Sequence, residues 1–258
     1  MKLLITNDDG YFAPGIAALA RALAKDNELY IVAPKFNQSC VSHGLTLKKP
    51  LTVEPISIDG VCARLALCVD GTPADCTRFA LQHLMLKPDA VISGINQAGN
   101  IGTDVLYSGT VSAAAEAAML GVRSIAVSRD TLAVDYFDDA AAHFAENLEL
   151  FYSCTNDNKR LLNVNYPFIP AKEYRGVRAA YLAEQVYADG YSRVELENGG
   201  EGFITPSEKL TECPENDTSD EKYIRDGFIT VTPLKYDITD YEHLARIASL
   251  VEKNYNNG

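Results

Sequence analysis

The chain contains no tryptophan, and its six cysteines (Cys40, Cys62, Cys68, Cys76, Cys154 and Cys213) include no C-x-x-C pair. Cysteines scattered in this way read as reduced thiols, which excludes a disulfide framework and a thiolate zinc site. The four histidines, His43, His83, His143 and His243, stand at no ligand spacing, so an imidazole metal centre is excluded as well. No apolar run approaches the roughly 20 residues that cross a bilayer, and Leu3 to Ile5 is too short for the apolar part of a signal peptide. A cytoplasmic protein with no membrane partner is therefore expected. Basic residues are few: 23 Lys and Arg against 35 Asp and Glu leave a net charge of -12. Without clustered bases, duplex nucleic acid is not a partner. Neither G-x-x-x-x-G-K-[ST] nor G-x-G-x-x-G occurs, which excludes the P-loop and the dinucleotide fingerprint.

What is present is an ordinary globular composition, with 47% hydrophobic residues in 258, enough for one large core. Strand-like and helix-like segments alternate over the first two thirds. Lys2 to Thr6 reads as a strand, Ile16, Leu19, Ala20 and Leu23 recur at helical spacing, and Leu29 to Ala33 is a second buried strand, which together make a βαβ unit with parallel strands. Strand-like segments follow at Leu45 to Leu47, Leu51 to Ile58 and Leu65 to Val69. Further on come a helix from Ala74 to about Leu86, a strand from Asp89 to Ser93, an alanine-dense helix from Val111 to Leu120, a strand at Ser124 to Ser128, a helix over Asp138 to Tyr152 and a strand at Arg160 to Asn165. The expected fold is α/β, a Rossmann-like, doubly wound, mostly parallel sheet. A single domain over 1–258 is expected, with a core at 1–169, a hairpin and loop extension at 170–235 and a C-terminal helix at 236–258. Within the extension, Ser207 to Asp226 is polar and shows no helical period. The last helix, from Tyr241 to Val251, carries Leu244, Ile247, Ala248 and Val251 on one face, and Asn254 to Gly258 should fray. The hairpins either join subunits or cap the sheet of their own subunit.

The first strand ends in Asn7-Asp8-Asp9-Gly10. In open parallel sheets, ligands bind outside the carboxyl ends of the strands, and two adjacent carboxylates with no neighbouring base suit a hard divalent cation. The other reading is a solvated turn in which an Asp caps the next helix. The second strand leads to Asn37, Gln38 and Ser39, and the strand after Asp89 leads to Asn96, so three strand exits can meet in a set of carboxylate, hydroxyl and amide oxygens. Ser108, Gly109 and Thr110 at a helix start offer N–H and hydroxyl donors to a phosphate, or simply cap the helix. Gly94, Gly99 and Gly102 are expected to let the backbone pass close to a ligand. Asp75, just inside a helix start, reads as a cap residue.

At Thr6-Asn7-Asp8-Asp9-Gly10, Ala33-Pro34 with Asn37-Gln38-Ser39, Gly71-Thr72-Pro73-Ala74-Asp75-Cys76, Ser93-Gly94-Ile95-Asn96, Asp104 to Val111, Leu162-Asn163-Val164-Asn165 and Thr232-Pro233-Leu234, the chain resembles the SurE family of stationary-phase survival proteins. The resemblance implies a cytoplasmic, metal-dependent nucleoside 5′-monophosphate phosphohydrolase, assembled as a dimer or tetramer through its C-terminal region. It implies one Mg or Mn ion held by Asp8, Asp9, Ser39 and Asn96. Two departures stand out. Cys40 occupies the place of a usual glycine, and Asp217-Thr218-Ser219-Asp220 matches the family's acidic segment loosely. In the chemistry that follows, the cation neutralises phosphoryl oxygens and lowers the pKa of a water, and Asp8 or Asp9 accepts its proton or attacks directly. Asn96 touches metal and phosphate, and Ser108, Gly109 and Thr110 hold the non-transferred oxygens. Cys40 lies either beside the cation or in the core. A receiver-type signalling module also has an acidic pair after its first strand, but needs a phospho-accepting Asp at a later strand end, where this chain has Asn96.

Overall fold

The computed structural model describes residues 1–130, 137–155, 160–184, 190–197, 199–205, 214–215 and 217–255. Six parallel strands form the centre of a nine-stranded sheet: β1 (Lys2–Thr6), β2 (Glu28–Pro34), β4 (Leu65–Val69), β5 (Ala90–Gln97), β6 (Ser124–Arg129) and β7 (Arg160–Tyr166). β3 (Val53–Pro55) lies antiparallel on the β4 edge. Beyond β7, β11 (Ile229–Lys235) is antiparallel and β8 (Val177–Ala179) runs parallel to β11, giving the order β3-β4-β2-β1-β5-β6-β7-β11-β8. The parallel strands follow the doubly wound order, which reverses between β1 and β5.

Buried side chains divide by strand parity. Leu3 and Ile5 face a cluster built with Ile16, Leu19 and Leu23 of α1 (Pro14–Leu23) and with Ala140, Ala141 and Phe144 of α4 (Asp138–Glu146). Leu4 faces the other way, toward Cys76 of α2 (Pro73–Arg78), Ala80 and Ala117 of α3 (Gly109–Met119). Helices therefore cover both faces, as the near-continuous apolar strands require. Pro14 occupies the first turn of α1, where its missing N–H costs nothing.

Several boundaries differ from the sequence reading. Leu45 to Leu47 is not a strand, because the Thr46 N–H is taken by the Asp75 carboxylate. Between Leu51 and Ile58 the strand is confined to Val53–Pro55, whose last residue is a proline with no N–H to donate to a ladder. The helix expected to reach Leu86 changes at Arg78 into a π-helical turn, Phe79–His83. The expected Asp138 to Tyr152 helix divides at Asn147, whose side-chain amide bonds the His143 carbonyl, into α4 and α5 (Leu148–Ser153). The polar stretch after Ser207, whose sequence shows no helical period, contains α6 (Asp220–Arg225), capped by the Ser219 hydroxyl and supported by Lys222–Asp226 and Arg225–Glu221 pairs. Six residues are too few to show a period. Residues 207–213 and 216 of that stretch, and 256–258 of the expected frayed end, lie outside the described residues. β9 (Ser192–Glu195) and β10 (Glu201–Ile204) pair with each other in a separate hairpin, and α7 (Tyr241–Tyr255) ends the described chain.

Candidate active site

Asp8 and Asp9 follow β1, and Asn96 lies near the end of β5, so the acid pair and the amide flank the switch point of the sheet. Asn96 is inside the strand, not in a loop after it. β5 carries an irregularity between Ser93 and Asn96, after which pairing to β6 resumes at Asn96 and Ser128. This accounts for Gly94, where the sequence suggested room for a ligand. Its φ is +138°, and a Cβ there would lie 2.2 Å from the Val127 carbonyl oxygen, so the backbone it accommodates is that of β6. Gly99 likewise packs against Ile101.

Asp8 is 3% exposed and Asp9 is half-buried. The Thr110 hydroxyl donates to Asp8 Oδ1, and the Thr110 backbone N–H also bonds this carboxylate. Burial, followed by the Asp9 charge, pushes the Asp8 pKa from 3.8 up to about 6, against the opposing pull of those bonds. Burial also raises Asp9, which accepts one long bond, 3.3 Å, from the Gln97 N–H. Among the described residues, no Lys or Arg forms an ion pair with either acid. Gly109 is a position of close approach: a Cβ there would lie 2.7 Å from Asp8 Cβ.

The helix-start donors are therefore partly committed within the protein. Thr110 serves Asp8, and the Ser108 Oγ accepts the Val111 N–H at 3.0 Å, which is a cap. The Ser108 O–H proton and the Gly109 N–H are the donors left at this end. Asn96 donates its Nδ2 to the Ala98 carbonyl at 2.8 Å, so its Oδ1 is the side-chain atom available to a cation.

Ser39 is exposed on the loop after β2, and that loop is tied to the site at several points. The Gln38 N–H donates to the Asp8 carbonyl at 2.7 Å, Asn37 Oδ1 accepts the Ser39 N–H at 2.8 Å, and the Ser42 N–H donates to the Tyr107 carbonyl at 3.0 Å. His43 reaches Glu116, a fully buried acid of α3, at 2.9 Å, and Arg78 reaches the same carboxylate at 2.7 Å. Sequence inspection gave no sign of Glu116, since a glutamate in an alanine-rich helix reads as a solvated residue. Asp75 is the cap it was read to be: with Thr72 it makes a capping box. Cys40 is exposed, which overturns the buried alternative, and its φ of +59° is a conformation that glycine adopts without cost. Phe12 and Phe36, 64% and 55% exposed, stand on the exits of β1 and β2, close to Gly10.

Among the described residues no group of three or more His, Cys, Asp and Glu side chains gathers. Two carboxylates without an ion-pair partner, with an amide and a hydroxyl on neighbouring strand exits, are oxygen donors of the kind a hard divalent ion takes.

Comparisons with known proteins agree along the chain. A family model described as "Survival protein SurE" matches residues 3–189. A protein of Alkaliphilus metalliredigens named 5′-nucleotidase SurE is 38% identical over 97% of this chain and 98% of its own length. Another of that name, from Desulfitobacterium hafniense, is 40% identical over 96% of each chain. The crystal structure of the SurE protein from Aquifex aeolicus superposes with a TM-score of 0.82 at 33% identity, covering 97% of this chain and 99% of that one.

Proposed function

The chain belongs to the SurE family, and from that premise we propose that it is a metal-dependent 5′-nucleotidase, hydrolysing the phosphate ester of nucleoside 5′-monophosphates. The observation that carries the reading is the uncompensated Asp8–Asp9 pair at the switch point, with Asp8 held by the start of α3. Asp8, Asp9, Ser39 and Asn96 would hold one Mg or Mn ion. When bound, such an ion neutralises phosphoryl charge and lowers the pKa of a coordinated water.

The chain's own groups divide the remaining work. Thr110 fixes Asp8, so Asp8 is the positioned member of the pair. Asp9, half-buried and held by one long bond, is the member free to accept a proton from the attacking water. The Ser108 hydroxyl and the Gly109 N–H at the positive end of α3 stabilise the phosphoryl oxygens as charge develops. Phe12 and Phe36 offer the planar apolar surface on which a nucleobase stacks. A receiver-type module finds no support, since β5 ends in Asn96-Gln97 and not in an aspartate.

A homodimer or homotetramer through the C-terminal region belongs to the same reading. Leu244, Ile247, Leu250 and Val251 of α7 are each about half exposed, so this helix buries little of its apolar face within its own chain. No helix among the described residues is long and apolar enough to cross a membrane, and a cytoplasmic location is proposed with the function.

The test is release of inorganic phosphate from AMP with Mn, with EDTA as control. Phosphate release that EDTA abolishes and Mn restores is expected. No release at saturating Mn from AMP, GMP or CMP would overturn the nucleotidase reading.

A further inference from the structure

Asp220 is a fully buried carboxylate outside the residues 3–189 matched by the family model. It opens α6, yet it does little to cap that helix: Ser219 takes that role, its hydroxyl accepting the Lys222 N–H. One Asp220 oxygen accepts the Glu221 and Ala183 N–H groups, both at 2.9 Å. The other accepts the Gly102 N–H at 2.8 Å, across 118 positions of sequence. Burial raises the pKa of this acid while the three amides lower it, so the amides stand where a counter-charge would otherwise be needed.

Gly102 starts the short 3₁₀ turn Gly102–Leu106, which joins the Asn96 strand to Ser108, Gly109 and Thr110. Upstream the same connection is pinned at Asn100, whose N–H donates to Asn165 Oδ1 at 2.8 Å and whose carbonyl accepts from Asn163 and Asn165. Downstream, Tyr107 accepts from Ser42 of the Ser39 loop. The Asp220–Gly102 bond therefore lies between two groups of site residues and reaches neither directly.

We propose that Asp220 is a positioning residue for hydrolysis: through Gly102 it sets the 98–107 connection, so the C-terminal extension completes the active site and is not only an assembly element. This rests on the nucleotidase reading of the site. Misplacing reacting groups by about 1 Å costs on the order of 100-fold in rate, and loss of this bond acts at that scale.

The experiment compares the full-length wild type with Asp220→Asn, Asp220→Ala and, as a control on the same helix, Glu221→Gln. Thermal melting reports the fold, kcat and KM are measured for AMP with Mn, and hydrogen–deuterium exchange is followed over 98–107. Asp220→Ala is expected to remain folded, to lose about 10- to 100-fold in kcat with KM within about threefold, and to exchange faster at 98–107. Asp220→Asn, which keeps one acceptor oxygen, should fall between Ala and wild type, and Glu221→Gln should match wild type. Wild-type kcat and exchange in a folded Asp220→Ala would overturn the proposal. So would unfolding of both Asp220 variants, since the carboxylate would then serve the fold alone. The exchange measurement needs no turnover, so a wild type inert toward AMP would remove the nucleotidase reading while the Asp220–Gly102 coupling is still read from exchange.

Discussion

Asp8 combines burial with an adjacent like charge, and both make its ionised form costly without a cation. With its folded pKa near 6, above the ordinary 3.8, the native state binds the proton more tightly than the unfolded chain does. The stability of metal-free protein should therefore be highest below about pH 4 and decline as pH rises through about 6, by at most about 3 kcal/mol from this group. Asp8→Asn removes that decline. In EDTA it should melt higher than wild type at pH 7 and converge with it near pH 4, while AMP hydrolysis is lost. Parallel melting curves across that range would contradict the assignment. Cys40 gives a second residue-scale prediction. Its left-handed backbone costs on the order of 1 kcal/mol, so Cys40→Gly should leave activity intact and hold or raise the melting temperature. Spacing pointed to both acids, and the family resemblance to the unusual cysteine. The Thr110 hydroxyl on Asp8 could not be foreseen, because it bridges 102 positions and depends on how closely α3 approaches β1.

At the scale of elements, the start of α3 is built around one contact, the approach of Gly109 to Asp8. A methyl group there would meet Asp8 Cβ at 2.7 Å and its Oδ2 at 3.0 Å, so Gly109→Ala must push the helix or the acid aside. Such overpacking costs about 1 to 3 kcal/mol, seen as a lower melting temperature, and AMP turnover should fall at least 10-fold as Asp8 moves. Thr110→Val keeps the volume but removes the bond to Asp8. A fall of about 100-fold in kcat is expected, the scale of displacing a reacting group by about 1 Å, while an unchanged rate would reduce Thr110 to packing. Apolar periodicity marked α1, α3 and the parallel strands. It missed α6, where side-chain caps and pairs act over a single turn, and it misjudged the segment around Leu45 to Ile58, where side-chain acceptors and prolines displace a ladder.

For the molecule as a whole, the half-exposed stripe of α7 predicts association. Replacing Leu244 and Ile247 together by glutamate should lower the solution mass measured by light scattering toward that of a single chain of 28.1 kDa, with the core still folded. An unchanged mass would place the assembly contact elsewhere. The alternation of strand and helix, the acid pair after the first strand and the ordered motifs from Thr6 to Leu234 determined the fold class and the family from sequence alone. These signals are local: hydrophobic period, turn chemistry and adjacent charge are carried by residues within a few positions of one another. Only the tertiary structure decided that Asn96 sits within an irregular strand, that Thr110 holds Asp8, that Glu116 anchors the His43 loop and that Asp220 reaches Gly102. The last three depend on the order in which strands lie side by side, which places groups 73 to 118 positions apart within hydrogen-bond distance.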